Sequence, residues 1–428
     1  MNGSAKNTQG GGSGSYDVGS SGCLQKSLNY YELTAIGVGS IIGCGIFFLF
    51  SNILQRAGSL TALAFIFAAI PNIIAGMAYA ELAGIYDSNA VEYDSLRDAF
   101  NENIATVSIY VLLLFLVFNA ATIIIFAGHL LNMESLKFYF SLIMLLVLSI
   151  INFTGIDVSK VITNVMSIVE VVILLIIVIF GCRYWHMDST FFAFNKNPMV
   201  KPHTFWVASF LAIFLYTGYD AVVKLSEETI DSKETVPKAV LTTVILSSVF
   251  YILVAFTAVC MPHLADIAKD VMPIAKMCEY MFGQGSHLKM VYLAGLFIVL
   301  NTFFVCIISL SRFVYSLSKE DKLPPVLSEV NDKFKTPHNA IIVVFIAIGF
   351  ALLVDNGEWT ASFANLFFLL FIVMLLLAVI ILRIRSPNIE RTFRIPFAVN
   401  DIPIPVVLGI IVSVGYFCLA LCSIKYIG

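Results

Sequence analysis

Charge is what this sequence has least of for its length. Asp, Glu, Lys and Arg make up 12% of 428 residues, hydrophobic residues make up 59%, and mean hydropathy is +0.91. A soluble domain carries about 25% charged and about 45–50% apolar residues, so water cannot be the solvent around most of this chain. A bilayer can, because its core is itself apolar. The signatures of soluble chemistry are missing too. There is no GxSxG elbow, no GxxxxGK[ST] phosphate loop and no CxxC pair. Those absences argue against a serine hydrolase, ATP-driven transport by this chain and a cysteine metal site, so no enzyme is expected. His129, His186, His203, His263, His287 and His338 show no metal-ligand spacing, and no metal or cofactor is expected. The eight cysteines lie mostly in apolar runs and read as small buried residues. The net charge of −3 says little about nucleic acid, but there is no basic face of the kind its binding needs, so no nucleic-acid partner is expected. Met1–Gly22 is rich in Gly and Ser and lacks the apolar stretch of a secretory signal, so residues 1–28 are expected to form a disordered cytoplasmic tail.

The charges that are present are segregated. Leu33–Gln55, Ala57–Ala80, Ile104–Gly128, Phe138–Ile156, Val240–Met261, Met290–Ser311, Trp359–Leu382 and Ile402–Ile424 contain no Asp, Glu, Lys or Arg. Each approaches or exceeds the about 18–20 residues a spanning helix needs. Backbone groups in lipid must pair within their own segment, and no alternating barrel pattern is present, so helices are expected. Eleven spans are predicted, near residues 33–56, 59–86, 104–130, 137–156, 161–182, 204–223, 237–261, 288–317, 338–354, 359–383 and 402–427. Pro262–Gly285 holds Asp266, Lys269, Asp270, Lys276 and Glu279, too many charges to span, and is expected to form short surface helices. A cytoplasmic N-terminus places 16 of the 25 Lys and Arg residues on the cytoplasmic side, as the positive-inside rule prefers. An odd number of spans then puts the C-terminus outside. The expected setting is a cell membrane, with the lipid bilayer as partner and an oligomeric state of monomer or homodimer.

The first span carries four glycines in nine residues: Gly37, Gly39, Gly43 and Gly45. Each costs a helix interior roughly 0.5–1 kcal/mol relative to alanine. Close-packing glycines would recur every four residues on one face, whereas these fall on several faces, which suits a local unwinding. Unwinding frees backbone groups at mid-membrane, and such groups are tolerated only where they line a cavity. The half-helix starting near Cys44 presents N–H groups to a carboxylate. The half-helix ending near Ser40 and Ile41 presents carbonyls to an ammonium. A zwitterionic amino acid matches both ends. A second break is expected five spans later, at Thr217-Gly218, with Asp220 close behind; an ordinary helix with one glycine is the alternative there. Paired discontinuous helices point to a transporter site.

Gly39–Phe47, with Phe214–Asp220 followed by Glu227-Glu228 and Val236-Pro237-Lys238-Ala239, resembles the first- and sixth-helix signatures of the amino acid–polyamine–organocation transporter family. Ala80-Glu81-Leu82, Ser311-Arg312 through Pro324, Thr336-Pro337 and Phe393–Phe397 extend the resemblance over nearly the whole chain. The resemblance implies an all-α integral membrane protein with a five-plus-five inverted-repeat core, helices 1 and 6 discontinuous, working by alternating access. The core would cover residues 29–386, with repeats at about 30–183 and 203–386, and residues 387–428 would add a connecting loop and one further helix. The family signature implies that N–H groups around Gly43, Cys44 and Gly45 bind the substrate carboxylate. Ser40, Ile41, Phe214, Thr217 and Gly218 would complete the site, with the carbonyls of Ile41, Phe214 and Thr217 taking the amine and Phe214 acting as an aromatic gate. Two departures stand out. Family members usually have twelve helices, and Ile85–Ala90 lacks the Pro-and-Gly pattern common after helix two.

Glu170 is an acid inside span five, flanked by apolar residues. An ionised carboxylate at mid-bilayer costs at least ~2.5–3.5 kcal/mol, so Glu170 is the expected proton-coupling residue; a neutral, hydrogen-bonded structural Glu is the alternative. Some family members have a lysine near this position, so their mechanism does not carry over. Asn119, Asp220 and Asn301 are candidate pocket residues, with a structural role open for each. Arg312 at the end of span eight is a candidate cytoplasmic gate with Glu81, Glu227 or Glu228, or a positive-inside anchor. The expected function is secondary transport, by symport or exchange, of amino acids or related amines, driven by protons. A sodium-coupled symporter using Ser309 and Ser311, a non-transporting amino-acid sensor of the same fold, and a channel are the rivals.

Overall fold

The computed structural model describes residues 24–130, 136–185, 202–270, 272–283, 285, 287–354 and 356–427. Most of the expected tail therefore lies outside the described residues. Its last part is ordered, against expectation. Leu24 and Leu28 are buried, the Ser27 and Leu28 N–H groups donate to the Glu228 carbonyl, and the Ile230 N–H donates to the Leu28 carbonyl. Two apolar side chains supply the anchor that the Gly/Ser stretch before them lacks.

Span one consists of α1 (Tyr30–Ile41) and α2 (Cys44–Ala57). It starts earlier than the apolar run because Asn29 caps α1: its side chain accepts from the Tyr31 and Glu32 N–H groups, and Glu32 accepts from the Asn29 N–H. That reciprocal box is written in the sequence as Asn-x-x-Glu. Next come α3 (Thr61–Ala83), the short loop helix α4 (Val91–Ala99), α5 (Glu102–Leu130), α6 (Lys137–Phe153) and α7 (Ile156–Gly181). Span six is divided into α8 (Pro202–Leu215) and α9 (Asp220–Val223). The chain continues as α10 (Ser232–Cys260), the pair α11 (Leu264–Lys269) and α12 (Pro273–Phe282), α13 (His287–Lys319), α14 (His338–Ala351) and α15 (Gly357–Arg385). A two-residue antiparallel pair, β1 (Ala398–Val399) and β2 (Ile402–Pro403), precedes α16 (Ile404–Ile427). Among the described residues nine helical stretches are long and apolar enough to cross a membrane, and Phe138–Phe153 and His338–Val354 are shorter apolar helices. The charged segment after span seven does form two short helices, but α12 buries one face, with Ile274, Met277, Cys278 and Met281 packed inward.

Helix α7 is turned inside out relative to a helix of a soluble protein. On α7 the buried face is Ser159, Thr163, Ser167 and Glu170, whereas Val161, Val165, Ile168 and Val172 are exposed. The apolar stripe belongs against lipid, and the polar stripe faces the bundle, where neighbouring helices can partner it. The hydroxyls of Ser159, Thr163 and Ser167 each donate to the carbonyl four residues earlier. Helix α16 also exposes a large share of its apolar surface, including Leu408, Ile411 and Leu421.

The face at which span one begins, called here the N-terminal face, concentrates buried ion pairs. Glu81 at the end of α3 takes Arg383 in a two-pronged bond of 2.8 and 2.5 Å, and Arg391 lies 3.3 Å away. Glu228 takes Arg312 at 3.2 and 3.3 Å. Lys224, just past α9, bonds Glu92 of α4 at 2.6 Å and Asp220 at 2.8 Å.

Candidate functional site

Span one leaves the helix at Ile42, which has φ −74° and ψ 82°, and resumes at Cys44. The cause is tertiary as well as local. A Cβ at Gly43 would lie 1.9 Å from Thr302 Oγ1, so only glycine lets α13 approach this closely. Span six opens over residues 216–219, between α8 and α9. Gly218 there has φ 123°, a conformation L side chains rarely adopt, and a Cβ would sit 2.6 Å from the Ser40 carbonyl oxygen. The two breaks therefore touch. The Ser40 hydroxyl donates toward the carbonyls of Gly37 at 2.6 Å and Gly218 at 2.8 Å, joining them directly.

A small cavity of about 10 Å³, room for about one water, opens where the breaks meet, lined by Ser40, Ile41, Gly45, Asn119, Ile123, Phe214, Leu215, Thr217 and Thr302. Among the described residues no lining side chain is ionisable. Gly43 offers no side-chain cap to α2, so the first N–H groups of that helix lack the partner a capping side chain would supply. The carbonyls on the other side are partly engaged. The Tyr251 hydroxyl donates to the Ile41 carbonyl at 2.5 Å, and the Thr217 hydroxyl donates to the Phe214 carbonyl at 2.7 Å. A carbonyl has two lone pairs; the Phe214 carbonyl also accepts from the Thr217 N–H at 3.2 Å and has both engaged, whereas the Ile41 carbonyl retains one for a ligand. The Asn119 amide nitrogen has, among the described residues, the Cys306 sulfur at 3.7 Å as its acceptor. Larger clefts lie elsewhere. A 560 Å³ apolar groove runs between α5, α15 and α16, and a 400 Å³ charged cleft at the N-terminal face is lined by Lys26, Asp87, Asp94, Glu227, Lys319 and Glu320 among others.

The residues singled out from sequence divide by location. Ser40, Ile41, Gly45, Asn119, Phe214 and Thr217 line the cavity, while Gly43 and Gly218 form the breaks beside it. Cys44 contributes the first residue of α2; its side chain lies outside the described residues. Asn301 does not line the cavity. Its amide donates to Glu170 Oε1 at 2.9 Å and lies 3.2 Å from Ser167 Oγ. Its neighbour Thr302 lines the cavity instead and donates to the Gly39 carbonyl at 2.8 Å. Glu170 is fully buried, and its Oε2 has no hydrogen-bond partner among the described residues. A Cβ at Gly39 would collide with Ser167 and Asn301, so span one packs directly on the network that holds Glu170. Asp220 points away to Lys224, an intramolecular ammonium. Glu81 and Arg312 do not meet: Glu81 belongs to Arg383, and Arg312 belongs to Glu228 and to Asn152 Oδ1 at 2.7 Å. Ser311 bonds within this last cluster, and Ser309 Oγ donates to the Cys306 carbonyl, so neither reaches the α1 carbonyls.

Sequence reasoning did not single out Thr302, Ile123, Leu215, Tyr251, Glu92 or Lys224. Lys224 had a local signal, a cation four residues after an acid on one helical turn. Glu92 is one of several acids in the polar stretch of α4 and nothing local sets it apart; the rest carry no signal, since an aliphatic or hydroxyl side chain in a long apolar helix is unmarked until its neighbours are known.

Comparison with known proteins places this geometry. Residues 28–425 match the model of the amino acid permease family. The methylthioribose transporter of Bacillus subtilis (strain 168) is 24% identical over 87% of this chain and 85% of its own length. The branched-chain amino acid permease BcaP of the same organism is 24% identical over 93% and 88%. The human large neutral amino acids transporter small subunit 2 is 24% identical over 92% and 77%. A family match that runs from the cap of α1 to the end of α16, on a multi-pass helical bundle broken twice around one cavity, makes this chain a member of the amino acid permease family, a membrane transporter and not an enzyme.

Proposed function

We propose that this chain is a secondary transporter of neutral amino acids, working by alternating access, with Glu170 as its proton-coupling residue. The observation that carries the reading is the cavity at the meeting of the two breaks, where helix-end N–H groups and carbonyls converge and, among the described residues, no lining side chain is ionisable. A zwitterion has no net charge and finds a partner for each end. A cationic or anionic side chain would enter without a counter-charge, and an unpaired buried charge costs several kcal/mol. The names of the relatives agree, since branched-chain and large neutral amino acids are uncharged.

Glu170 supports proton coupling by its position. It is buried with a single amide donor, one helix behind Gly39. Neutral Glu170 fits that environment, and ionised Glu170 needs water or a cation, so a change in its access changes its protonation. The inverted-repeat core, the cytoplasmic N-terminus and the absence of any cofactor belong to the same proposal. The experiment is uptake of labelled leucine, serine, lysine and glutamate into proteoliposomes, with and without proton or sodium gradients, in wild type and E170Q. Leucine or serine should accumulate under a proton gradient, and E170Q should exchange substrate but lose the drive. Preferential uptake of lysine or glutamate sinks the neutral-substrate reading. Unchanged proton drive in E170Q, or drive by sodium alone, sinks the role of Glu170.

A further inference from the structure

A second buried acid lies on the N-terminal side of the cavity. Glu92, Lys224 and Asp220 form a cluster in which the Glu92 and Lys224 side chains are fully buried and Asp220 is 4% exposed. The cluster is self-contained. Glu92 feels Lys224 and Asp220 as its charged neighbours, and Lys224 feels chiefly the two acids, with the Phe313 ring 5.1 Å from its ammonium. Tyr79 of α3 faces the acids, and Cys306 of α13 lies close to Asp220 and Lys224. Helices α5 and α15 also pack along α4, but their charges are engaged elsewhere: Arg385 donates to the Ala99 carbonyl at the far end of α4, and Glu102 pairs with Lys322.

Two carboxylates and one ammonium leave one uncompensated negative charge in a place without solvent. Glu92 Oε1 holds Lys224, whereas Glu92 Oε2 is buried without a well-formed hydrogen bond, and so is the Tyr79 hydroxyl. We infer that Glu92 Oε2 is a proton-binding site, distinct from Glu170, at which one proton neutralises the cluster. The loss of solvation on burial pushes the Glu92 carboxyl above its ordinary value, and Lys224 pulls it only partly back. The site joins the loop helix α4 to the inner end of broken span six, so loading it exchanges a charged tether for a neutral one. It lies one side chain from the cavity, because Cys306 also accepts the hydrogen bond from Asn119. The inference does not depend on Glu170 carrying the coupling proton.

The test is infrared difference spectroscopy of the purified full-length chain, wild type against E92Q and, separately, against E170Q. Near neutral pH, E92Q should remove one protonated-carboxyl stretch that E170Q leaves in place. An E170Q spectrum without loss would count against the coupling proposal and leave this one standing. K224Q is the second variant. With the cation gone, the same stretch should persist to a pH higher by at least about one unit. An unchanged carboxyl region in E92Q, or an unmoved titration midpoint in K224Q, overturns the proposal, and either variant decides it if the other fails to fold.

Discussion

The N-terminal face and the middle of the bundle treat charge in opposite ways. At the face, buried acids are paired in fixed geometry: Glu81 with Arg383, Glu228 with Arg312, and Glu92 with Lys224. At the centre the cavity lining is uncharged, and the single acid behind it, Glu170, has an amide for company. The pairs are geometry-setting. Each ties a loop or helix end to a distant span, as when Arg383 also donates to the Ile395 carbonyl and Glu81 accepts from the Ile395 N–H. An unpaired acid has no such duty and is free to change protonation. The contrast teaches that burial alone does not mark a functional carboxylate; negative charge left uncompensated does, as at Glu170, which has no cation beside it, and at Glu92, which shares the Lys224 ammonium with Asp220.

The largest expected effect comes from breaking a pair. Arg383→Ala leaves Glu81 buried without its main cation and should destabilise the protein by about 3–5 kcal/mol, read as the thermal unfolding midpoint in detergent. Replacing both partners, E81M with R383M, should cost less than either single change, because no lone charge remains. Gly218→Ala attacks the centre instead. A left-handed backbone and a 2.6 Å approach to Ser40 should cost about 1–3 kcal/mol and lower proteoliposome uptake by about tenfold. Glu170→Gln should separate the two regions most clearly. If the carboxyl is neutral at rest, the midpoint should move by less than the equivalent of about 1 kcal/mol while proton-driven uptake is lost. A fall as large as that of R383A would mean that Glu170 is a paired structural acid after all.

The smallest effect is expected at the rim of the charged cleft. Asp94 on α4 has its carboxyl pushed from 3.8 up to about 6, with burial as the main cause. A raised value in the fold means the folded state binds more protons between about pH 4 and about pH 6. Stability should therefore be greater at the lower end of that window and fall as pH rises through about 6. Asp94→Asn should flatten this slope, with a gain of about 1 kcal/mol near neutral pH after allowance for solvent screening. A slope that survives in D94N assigns the titration to another group.

Much of this was readable in advance. The spans and the two breaks follow from apolar runs and clustered glycines, which are local signals; the Asn-x-x-Glu box at the start of α1 is local too, but the apolar run alone placed that start at about residue 33. Asn119 and Asn301 show where local signals stop. Both are single amides in apolar helices, yet one lines the cavity and the other turns to Glu170. In span eight the choice between Asn301 and Thr302 rests on about 100° of helix rotation, the angle between neighbours at 3.6 residues per turn. Hydropathy does not encode that angle, because both neighbours lie inside the same apolar run.

The sequence by itself determined the solvent of this protein and the places where its helices can open. Hydropathy adds along the chain, and a glycine's freedom belongs to its own residue, so neither needs a neighbour to be decided. Only the tertiary structure decided which acid has a cation. Glu81 and Arg383 are 302 residues apart, and Glu92 and Lys224 are 132 apart. Pairing depends on distances of a few ångströms between side chains on different helices, and on how each helix is turned about its axis. Those are properties of the packed bundle, and they separate the face that charge holds together from the uncharged cavity with one lone carboxyl behind it.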